Sequence, residues 1–216
     1  MNIGDAPLST QGKSVNGRRV NQYILEKVVG KGSFAEVWLG RDSTNDKLVA
    51  IKKISKERLK NNATLIRMLS TEVSVMKKIK HRNIMHLEDF LETPSNYYLI
   101  LEYLKDGDLE GIIKKTKLGY IDEPTAVFYL KQIANGFQEL RNFKVFHRDI
   151  KLANLFLDNN RLVIGDFGFA KSGVDQTSTI LGTPLTMAPE ILFANSGNVK
   201  YCSKADIWSI GVVFYQ

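Results

Sequence analysis

Two short loops in the second half of the chain contain the residue types that phosphoryl transfer requires. The first loop, His147–Asn154, reads HRDIKLAN, and the second, Asp166–Gly168, reads DFG. This chemistry needs a divalent metal to neutralise phosphate charge, a carboxylate near the attacking hydroxyl, and cations for the group in transit. A lone DFG triplet has little specificity. The ordered pair of loops, each at the end of a strand, supplies all three requirements and predicts one phosphoryl-transfer site.

A glycine-rich segment, Gly30–Ala35 (GKGSFA), lies between the first two predicted strands. Glycines let the backbone turn tightly and bring N–H groups against phosphate oxygens. A glycine-rich hairpin of no special purpose is an equally open interpretation of these residues alone. A dinucleotide-binding turn is excluded, because the β-favouring residues Glu36–Gly40 follow where a helix would have to begin, and Ala35 replaces a third glycine.

The acidic residue Glu72 falls on the apolar stripe of a predicted helix. The other members of the stripe are Leu65, Leu69, Met76 and Ile79. A carboxylate in such a position is costly unless it is paired, and Lys52, at the end of the third predicted strand, is its candidate partner. A lysine held in this way could bind two phosphates of a nucleotide. An ordinary structural ion pair remains the alternative.

The first half of the chain has the pattern of a small antiparallel sheet with one helix. Residues 1–20 are rich in Ser, Gly, Asn and charged side chains and show no period, which indicates a flexible leader. The predicted strands beyond it cover residues 23–29, 36–40, 47–52 and 96–104, with a helix over residues 62–80. The short links between the first three strands favour an antiparallel meander.

After Gly107 the chain becomes mainly helical. The segment Asp122–Pro124 is a helix start signal, and an apolar stripe follows it. Two short strands, 154–157 and 161–164, are joined by a turn at residues 158–160. The predicted fold class is therefore α+β, with a small antiparallel β-sheet lobe followed by a mainly α-helical lobe that holds a small hairpin.

The composition is that of an ordinary globular protein, with 44% hydrophobic and 25% charged residues. The net charge of +7 favours polyanionic ligands in general. No lysine cluster is interleaved with the aromatic residues of a nucleic-acid platform, so no specific nucleic acid is predicted. The single cysteine, Cys202, allows no internal disulfide, and no apolar run approaches the roughly 20 residues that span a bilayer. These features predict an intracellular location, cytoplasmic or nuclear, without a transmembrane segment.

From about Tyr23 to its end the chain resembles eukaryotic protein kinases. The resemblance lies in the order of the glycine-rich segment, the lysine and glutamate, and the two loops. It implies a bilobal fold in which the leader covers residues 1–20, the ATP-binding N-lobe and hinge cover residues 21–104, and an incomplete C-lobe covers residues 105–216.

Two features are similar to the serine/threonine branch of this family. Lys151 lies two residues after Asp149, and GTP precedes APE within Gly182–Glu190. By the same resemblance, Phe169, directly after the DFG loop, favours serine as the acceptor. The segments Ile164–Lys171 and Gly182–Glu190 together resemble the autophagy-linked Unc-51-like (ULK) group.

The resemblance assigns the ATP-binding roles mainly to the N-lobe. The glycine-rich segment would cover ATP, and Val37 and Ala50 would pack on the adenine. Lys52 would hold the α and β phosphates and pair with Glu72, while Leu101 would gate the pocket behind the hinge. The implied ATP-binding positions are Gly30, Lys31, Gly32, Ser33, Val37, Ala50, Lys52, Glu102, Leu104 and Leu155.

In the C-lobe the resemblance implies that Asp149 is the catalytic base and that Lys151 meets the γ-phosphate. Asn154 and Asp166 would bind magnesium, so the implied cofactors are ATP and Mg²⁺. The implied partners are protein substrates with Ser or Thr acceptors and a regulatory or activating kinase, whose phosphate Arg148 would receive. The catalytic positions are Lys52, Glu72, Asp149 and Lys151, and the regulatory ones are Arg148, Phe167, Gly168, Thr177, Ser178, Thr179, Thr183 and Glu190.

The chain departs from the family pattern at three places. Ala35 stands where a third glycine is usual, and Thr186 stands where tyrosine is common. The segment Asp206–Gln216 resembles the start of the central helix of the large lobe, in which Asp206 braces the catalytic loop, and it stops in an apolar run. We therefore expect a truncated kinase domain, weak or inactive by itself, or a chain that needs a partner on that face. The alternative is a nucleotide-binding fragment that acts as a decoy or scaffold for a partner kinase.

Overall fold

The structure, a computed structural model, describes residues 18–32, 35–172, 181–193 and 201–216. The predicted leader up to residue 17 and the predicted site residues Ser33, Thr177, Ser178 and Thr179 lie outside these ranges. The chain divides into two compact units. The first unit runs up to Val73 and includes His86–Tyr103, and the second consists of Ser74–Met85 and Leu104–Gln216.

A six-stranded sheet forms most of the first unit. Its strands are β1 (Arg18–Val20), β2 (Tyr23–Lys31), β3 (Ala35–Asp42), β4 (Leu48–Ser55), β5 (Leu87–Glu92) and β6 (Asn96–Glu102). Their order is β1-β2-β3-β4-β6-β5, and every neighbouring pair is antiparallel. The predicted meander is confirmed as β2, β3 and β4, and the fourth predicted strand is β6.

Alternate residues of these strands form the apolar core of the first unit. The core cluster consists of Val20, Tyr23, Leu25, Trp38, Val49, Ile51 and Ile100. Strand β1 belongs to it, so the predicted leader is wrong over Arg18–Val20. Val20 is buried in the cluster, and the Arg18 guanidinium lies 5.0 Å from the Trp38 ring centroid. The sequence does not reveal this strand because three residues are too few to show a period.

Strand β5 lies at the edge of the sheet, and two helices follow β4. The sequence pattern does not predict β5, in which three of the six residues are acidic, but charged side chains are common on a strand at the edge of a sheet. Helices α1 (Lys56–Leu59) and α2 (Ala63–Lys78) follow β4, and α2 confirms the predicted helix. From Ser74 onward α2 belongs to the second unit, which differs from the sequence-based lobe boundary at residue 104.

The second unit combines helices with short strands, so the predicted α+β class is confirmed. Its helices are α3 (Leu109–Lys115), α4 (Glu123–Asn142), α5 (Pro189–Leu192) and α6 (Lys204–Tyr215). Its strands are β7 (Gly107–Asp108), β8 (Val145–Phe146), β9 (Leu155–Asp158), β10 (Arg161–Ile164) and β11 (Lys171–Ser172). The predicted hairpin is β9–β10, and Asn159 and Asn160 have φ of 50° and 61° at its turn, as two-residue hairpin loops require.

Helix α4 is the longest element of the second unit. It begins after Asp122, whose Oδ1 accepts a hydrogen bond from Thr125 N at 3.0 Å, as the start signal predicts. Gly136 lets the helix approach its neighbour closely, because a Cβ there would lie 2.9 Å from Asn83 O. Within the described ranges, no helix is both long and apolar enough to span a bilayer.

Candidate active site

The predicted pair of Lys52 and Glu72 is present in the first unit. Lys52 Nζ lies 2.6 Å from Glu72 Oε1, and the two side chains are 20% and 6% exposed. The pairing with Lys52 explains why a carboxylate can occupy an apolar position of α2, because the ammonium group offsets the charge of the buried Glu72. The geometry satisfies both the functional interpretation and the structural one, so the test of the pair has to separate them.

Lys52 shares one face of the sheet with predicted nucleotide-binding residues. Val37 on β3 is its direct cross-strand partner, and Gly30 on β2 is the partner of Val37. Ala50 lies two residues before Lys52 on β4, so its side chain points to the same face. Ile51, between them, is part of the apolar core on the other face. The sheet therefore places four of the predicted ATP-binding residues on one surface.

The glycine-rich segment extends the end of β2. Gly30 and Lys31 pair with β3 as strand residues rather than forming the turn itself. The turn is closed by a hydrogen bond that Gly32 N donates to Ala35 O at 2.8 Å. Lys31 and Gly32 are exposed.

In the second unit, Asp149 is buried at the centre of a cluster of donors. Its side chain is 1% exposed. Oδ1 accepts a hydrogen bond from Thr183 Oγ1 at 2.6 Å, and Oδ2 accepts from Asn154 Nδ2 at 3.0 Å. Lys151 Nζ lies 2.9 Å from Oδ2 and donates to Thr183 Oγ1 at 3.0 Å. These contacts fix the orientation of the carboxylate.

Asn154 and Asp166 have the donor atoms that Mg²⁺ prefers. Asn154 Nδ2 also donates to Asp149 O at 2.8 Å, so the amide nitrogen is committed to Asp149 and the amide oxygen is the atom left to bind a cation. Gly165 N donates to Asn154 O at 2.9 Å, which ties the two loops together. Asp166 is exposed and has φ of 58°. Magnesium is held by one or two such oxygen ligands together with substrate phosphates, so these residues fit the ion.

A buried aspartate of α6 holds the backbone of the loop His147–Asn154. Asp206 Oδ2 accepts from His147 N at 2.9 Å, and Oδ1 accepts from Arg148 N at 2.8 Å. Burial raises the pKa of Asp206, while His147, Arg148 and the two N–H donors oppose that increase. Arg148 has φ of 67°, which is strained for a residue with a Cβ. The two hydrogen bonds to Asp206 hold the backbone of Arg148 in this conformation. This is the role that the resemblance implies for Asp206.

We expect Asp206→Asn to lower the free energy of unfolding by about 1–3 kcal/mol, because one of two acceptor oxygens in a buried site becomes a donor. Urea denaturation followed by circular dichroism measures the change. Glu110→Gln, at a 42% exposed position of the same unit, is the control and should change stability by only a few tenths of a kcal/mol. Equal stability of the two variants would contradict the bracing role.

Thr183 is the functional contact that sequence reasoning missed. The sequence groups it with hydroxyls that could be modified, yet its hydroxyl bonds to both Asp149 and Lys151. The GTP triplet marks Thr183 in the sequence but does not reveal this contact, because Asp149 lies 34 positions earlier in the chain. The preceding Gly182 has φ of 128°, and a Cβ there would lie 2.3 Å from Arg148 O. Only glycine permits this close approach.

The remaining predicted residues occupy varied environments. Phe167 is fully buried, with its ring centroid 5.1 Å from that of His147, and Gly168 N donates to Asp166 Oδ1 at 3.4 Å. Glu190 is exposed in the first turn of α5.

Three predicted ATP-binding residues lie in different units. Glu102 Oε1 accepts from His86 N at 2.9 Å in the first unit, and Leu104 and Leu155 are buried in the second. The ATP-binding roles of these last three residues stay a prediction.

Comparison with known protein families gives a match to the protein kinase domain over residues 23–216. Because the match covers nearly all of the sequence, this chain belongs to the protein kinase family. The resemblance to eukaryotic protein kinases that the sequence motifs indicate is thereby confirmed.

Among individual proteins, the chain is similar to kinases named ATG1. It is 41% identical over 207 residues to serine/threonine-protein kinase ATG1b of Arabidopsis thaliana and 39% identical over 206 residues to ATG1c of the same plant. Serine/threonine-protein kinase atg1 of Dictyostelium discoideum is 39% identical over 209 residues. The alignments cover 92–93% of this chain and 27–30% of the relatives, so the chain spans less than a third of their length. The predicted resemblance to the Unc-51-like group is confirmed.

Proposed function

We propose that this chain carries the catalytic residues of an ATP-dependent protein kinase that transfers the γ-phosphate of ATP to serine or threonine hydroxyls of proteins. The observation that carries the proposal is the buried carboxylate of Asp149, held between Lys151, Asn154 and Thr183. A carboxylate fixed in this way can accept a hydrogen bond from the attacking hydroxyl and take up its proton.

The other site residues have separate parts in this proposal. Lys151 Nζ, next to the catalytic carboxylate, balances negative charge at the γ-phosphate. Lys52 binds the α and β phosphates, and Glu72 fixes the position of its ammonium group. Asn154 and Asp166 hold Mg²⁺, which neutralises phosphate charge when it is bound. Each of these groups is set in place before the reaction, which is how such sites lower the barrier.

The acceptor, the cellular setting and the regulation are further parts of the proposal. The similarity to serine/threonine-protein kinases supports Ser or Thr over Tyr, and Phe169 leans toward Ser. The resemblance to the Unc-51-like group supports a role linked to autophagy in the cytoplasm. An activating phosphate on the segment after the DFG loop would pair with Arg148, whose Nε already donates to Phe169 O at 2.6 Å.

The test is transfer of radiolabelled γ-phosphate from Mg-ATP to mixed histones, with acid hydrolysis to identify the labelled amino acid. We expect phosphoserine and phosphothreonine and no phosphotyrosine. Calorimetric titration with a non-hydrolysable ATP analogue, run in parallel, reports nucleotide binding alone. A chain that binds the analogue but transfers no more label than its Asp149→Asn variant would refute the catalytic proposal and leave a nucleotide-binding decoy.

Thr183→Val tests the contact that orients Asp149. The substitution removes a hydroxyl that bonds to two charged groups, and such a bond contributes about 1.5–3 kcal/mol. We therefore expect the rate of transfer to fall about 10–100-fold, with nucleotide affinity little changed. Thr183→Ser keeps the hydroxyl and should retain most of the activity. If the two variants are equally slow, the hydroxyl does not position the carboxylate.

A further inference from the structure

A row of cations follows one side of helix α4 in the second unit. Lys77 and Lys78 end α2, Lys80 and Arg82 come directly after it, and Arg161 begins β10. The two lysines of α2, together with Lys80 and Arg82, are exposed, and the Arg161 side chain is 27% exposed. We call these five residues the basic strip.

The segment that contains most of the basic strip runs along α4. Lys78 Nζ lies 5.4 Å from the ring centroid of Phe143, at the C-terminal end of α4. Farther along, Asn83 O would lie 2.9 Å from a Cβ at Gly136, and Asn83 Nδ2 donates to Gln132 Oε1 at 3.0 Å. Residues 132 to 143 rise about 16 Å along a helix axis. The segment that carries Lys78, Lys80 and Arg82 therefore follows the helix over about that length.

Arg161 extends the basic strip at its far end. Its Nη1 donates to Arg82 O at 3.1 Å, which holds the two arginines side by side. Two carboxylates lie beside the strip. Asp158 Oδ2 is 3.9 Å from Arg161 Nη2, and Glu139 lies one turn before Phe143 on the same side of α4. The five positive charges of the strip exceed the two negative charges of these carboxylates.

We propose that the basic strip binds an acidic peptide segment of a partner protein. An extended peptide rises about 3.3 Å per residue, so about five residues match the length of the strip. Carboxylates at intervals along such a peptide would meet successive cations, and this complementarity steers association and fixes the register. The strip includes none of the residues proposed for catalysis, so it is independent of whether the chain transfers phosphate.

The surroundings of the strip favour a peptide over a membrane or a nucleic acid. Residues 77–82 contribute no exposed large apolar side chain, and Phe143 is partly buried beneath Lys78. A bilayer would therefore find no side chain to insert. Single-stranded nucleic acid binds by stacking on exposed aromatic rings, which this surface lacks within the described residues. A narrow line of cations instead suits carboxylates on a chain.

The experiment measures fluorescence anisotropy of a short fluorescein-labelled peptide of alternating Glu and Gly, at low and high salt. In the test variant, Lys80→Glu and Arg82→Glu reverse two cations of the strip. In the control variant, Lys105→Glu and Lys117→Glu make the same change of net charge at exposed positions of the same unit. We expect the test variant to bind the peptide about tenfold more weakly or worse, the control to stay within about twofold, and high salt to weaken binding by the unaltered chain.

Three results would overturn the proposal. The first is no measurable binding of the peptide by the unaltered chain at low salt, and the second is equal weakening in the test and control variants, which would reflect net charge alone. The third is tighter binding of phosphatidylserine vesicles or a single-stranded oligonucleotide, lost in the test variant, which would assign the strip to another class of partner. Circular dichroism of both variants verifies that they are folded.

Discussion

Asp149→Asn is expected to lower the rate of phosphate transfer about 10²–10⁴-fold, the range for loss of a positioned general base. The amide cannot take up the proton of the attacking hydroxyl. It also brings an NH₂ group into a site where Thr183, Asn154 and Lys151 all donate, so at least one donor loses its acceptor. Initial rates with Mg-ATP and mixed histones measure the loss.

The control for this variant is Asp46→Asn, the same chemical change at a turn in the first unit where the side chain is 84% exposed. It should leave the rate unchanged. Binding of a non-hydrolysable ATP analogue should persist in the Asp149 variant within about threefold, because a residue that acts on the hydroxyl contributes little to ground-state binding. If the Asp149 variant keeps the full rate, another group takes up the proton and the proposed mechanism is wrong.

Much of the fold could be predicted because its elements have clear local signals. The strands β2, β3 and β4 span eight or nine residues with many β-favouring side chains, and α4 combines a capping aspartate with an apolar stripe. Strand β1 escapes prediction because Val20 becomes an apolar core residue only through contact with strands farther along the chain. The division of α2 between the two units at Ser74 is equally hard to predict, because a helix has the same local pattern whichever unit it packs against.

The candidate site shows the same division between local and distant information. Glu72 can be identified from the sequence because a carboxylate conflicts with the apolar stripe around it, and the structure confirms that Lys52 is its partner. Asp149 and Asn154 lie in one loop, so their association follows from chain order. The hydroxyl of Thr183 and the close packing of Gly182 on the backbone of Arg148 depend on how distant segments meet. The sequence of a single segment does not predict such tertiary contacts.

Lys52→Met is expected to lower the free energy of unfolding of the first unit by about 3 kcal/mol and to weaken Mg-ATP binding strongly. Removing one member of a buried ion pair costs about 3–5 kcal/mol, because the other charge stays buried without it. The lower end applies here since the Lys52 side chain is 20% exposed whereas that of Glu72 is 6% exposed. Urea denaturation and calorimetric titration with the ATP analogue measure the two effects. Lys53→Met, at the neighbouring position on the opposite face of β4, is the matched control.

The double variant Lys52→Met and Glu72→Gln separates the structural interpretation of the pair from the functional one. Replacing the carboxylate by a neutral amide of the same shape removes the stranded charge, so more than half of the lost stability should return. Nucleotide binding should not return, because the ammonium group proposed to hold the α and β phosphates is absent. If the double variant instead binds the ATP analogue as tightly as the unaltered chain, the pair only stabilises the sheet and helix of the first unit. The contact at 2.6 Å would then have no part in phosphoryl transfer.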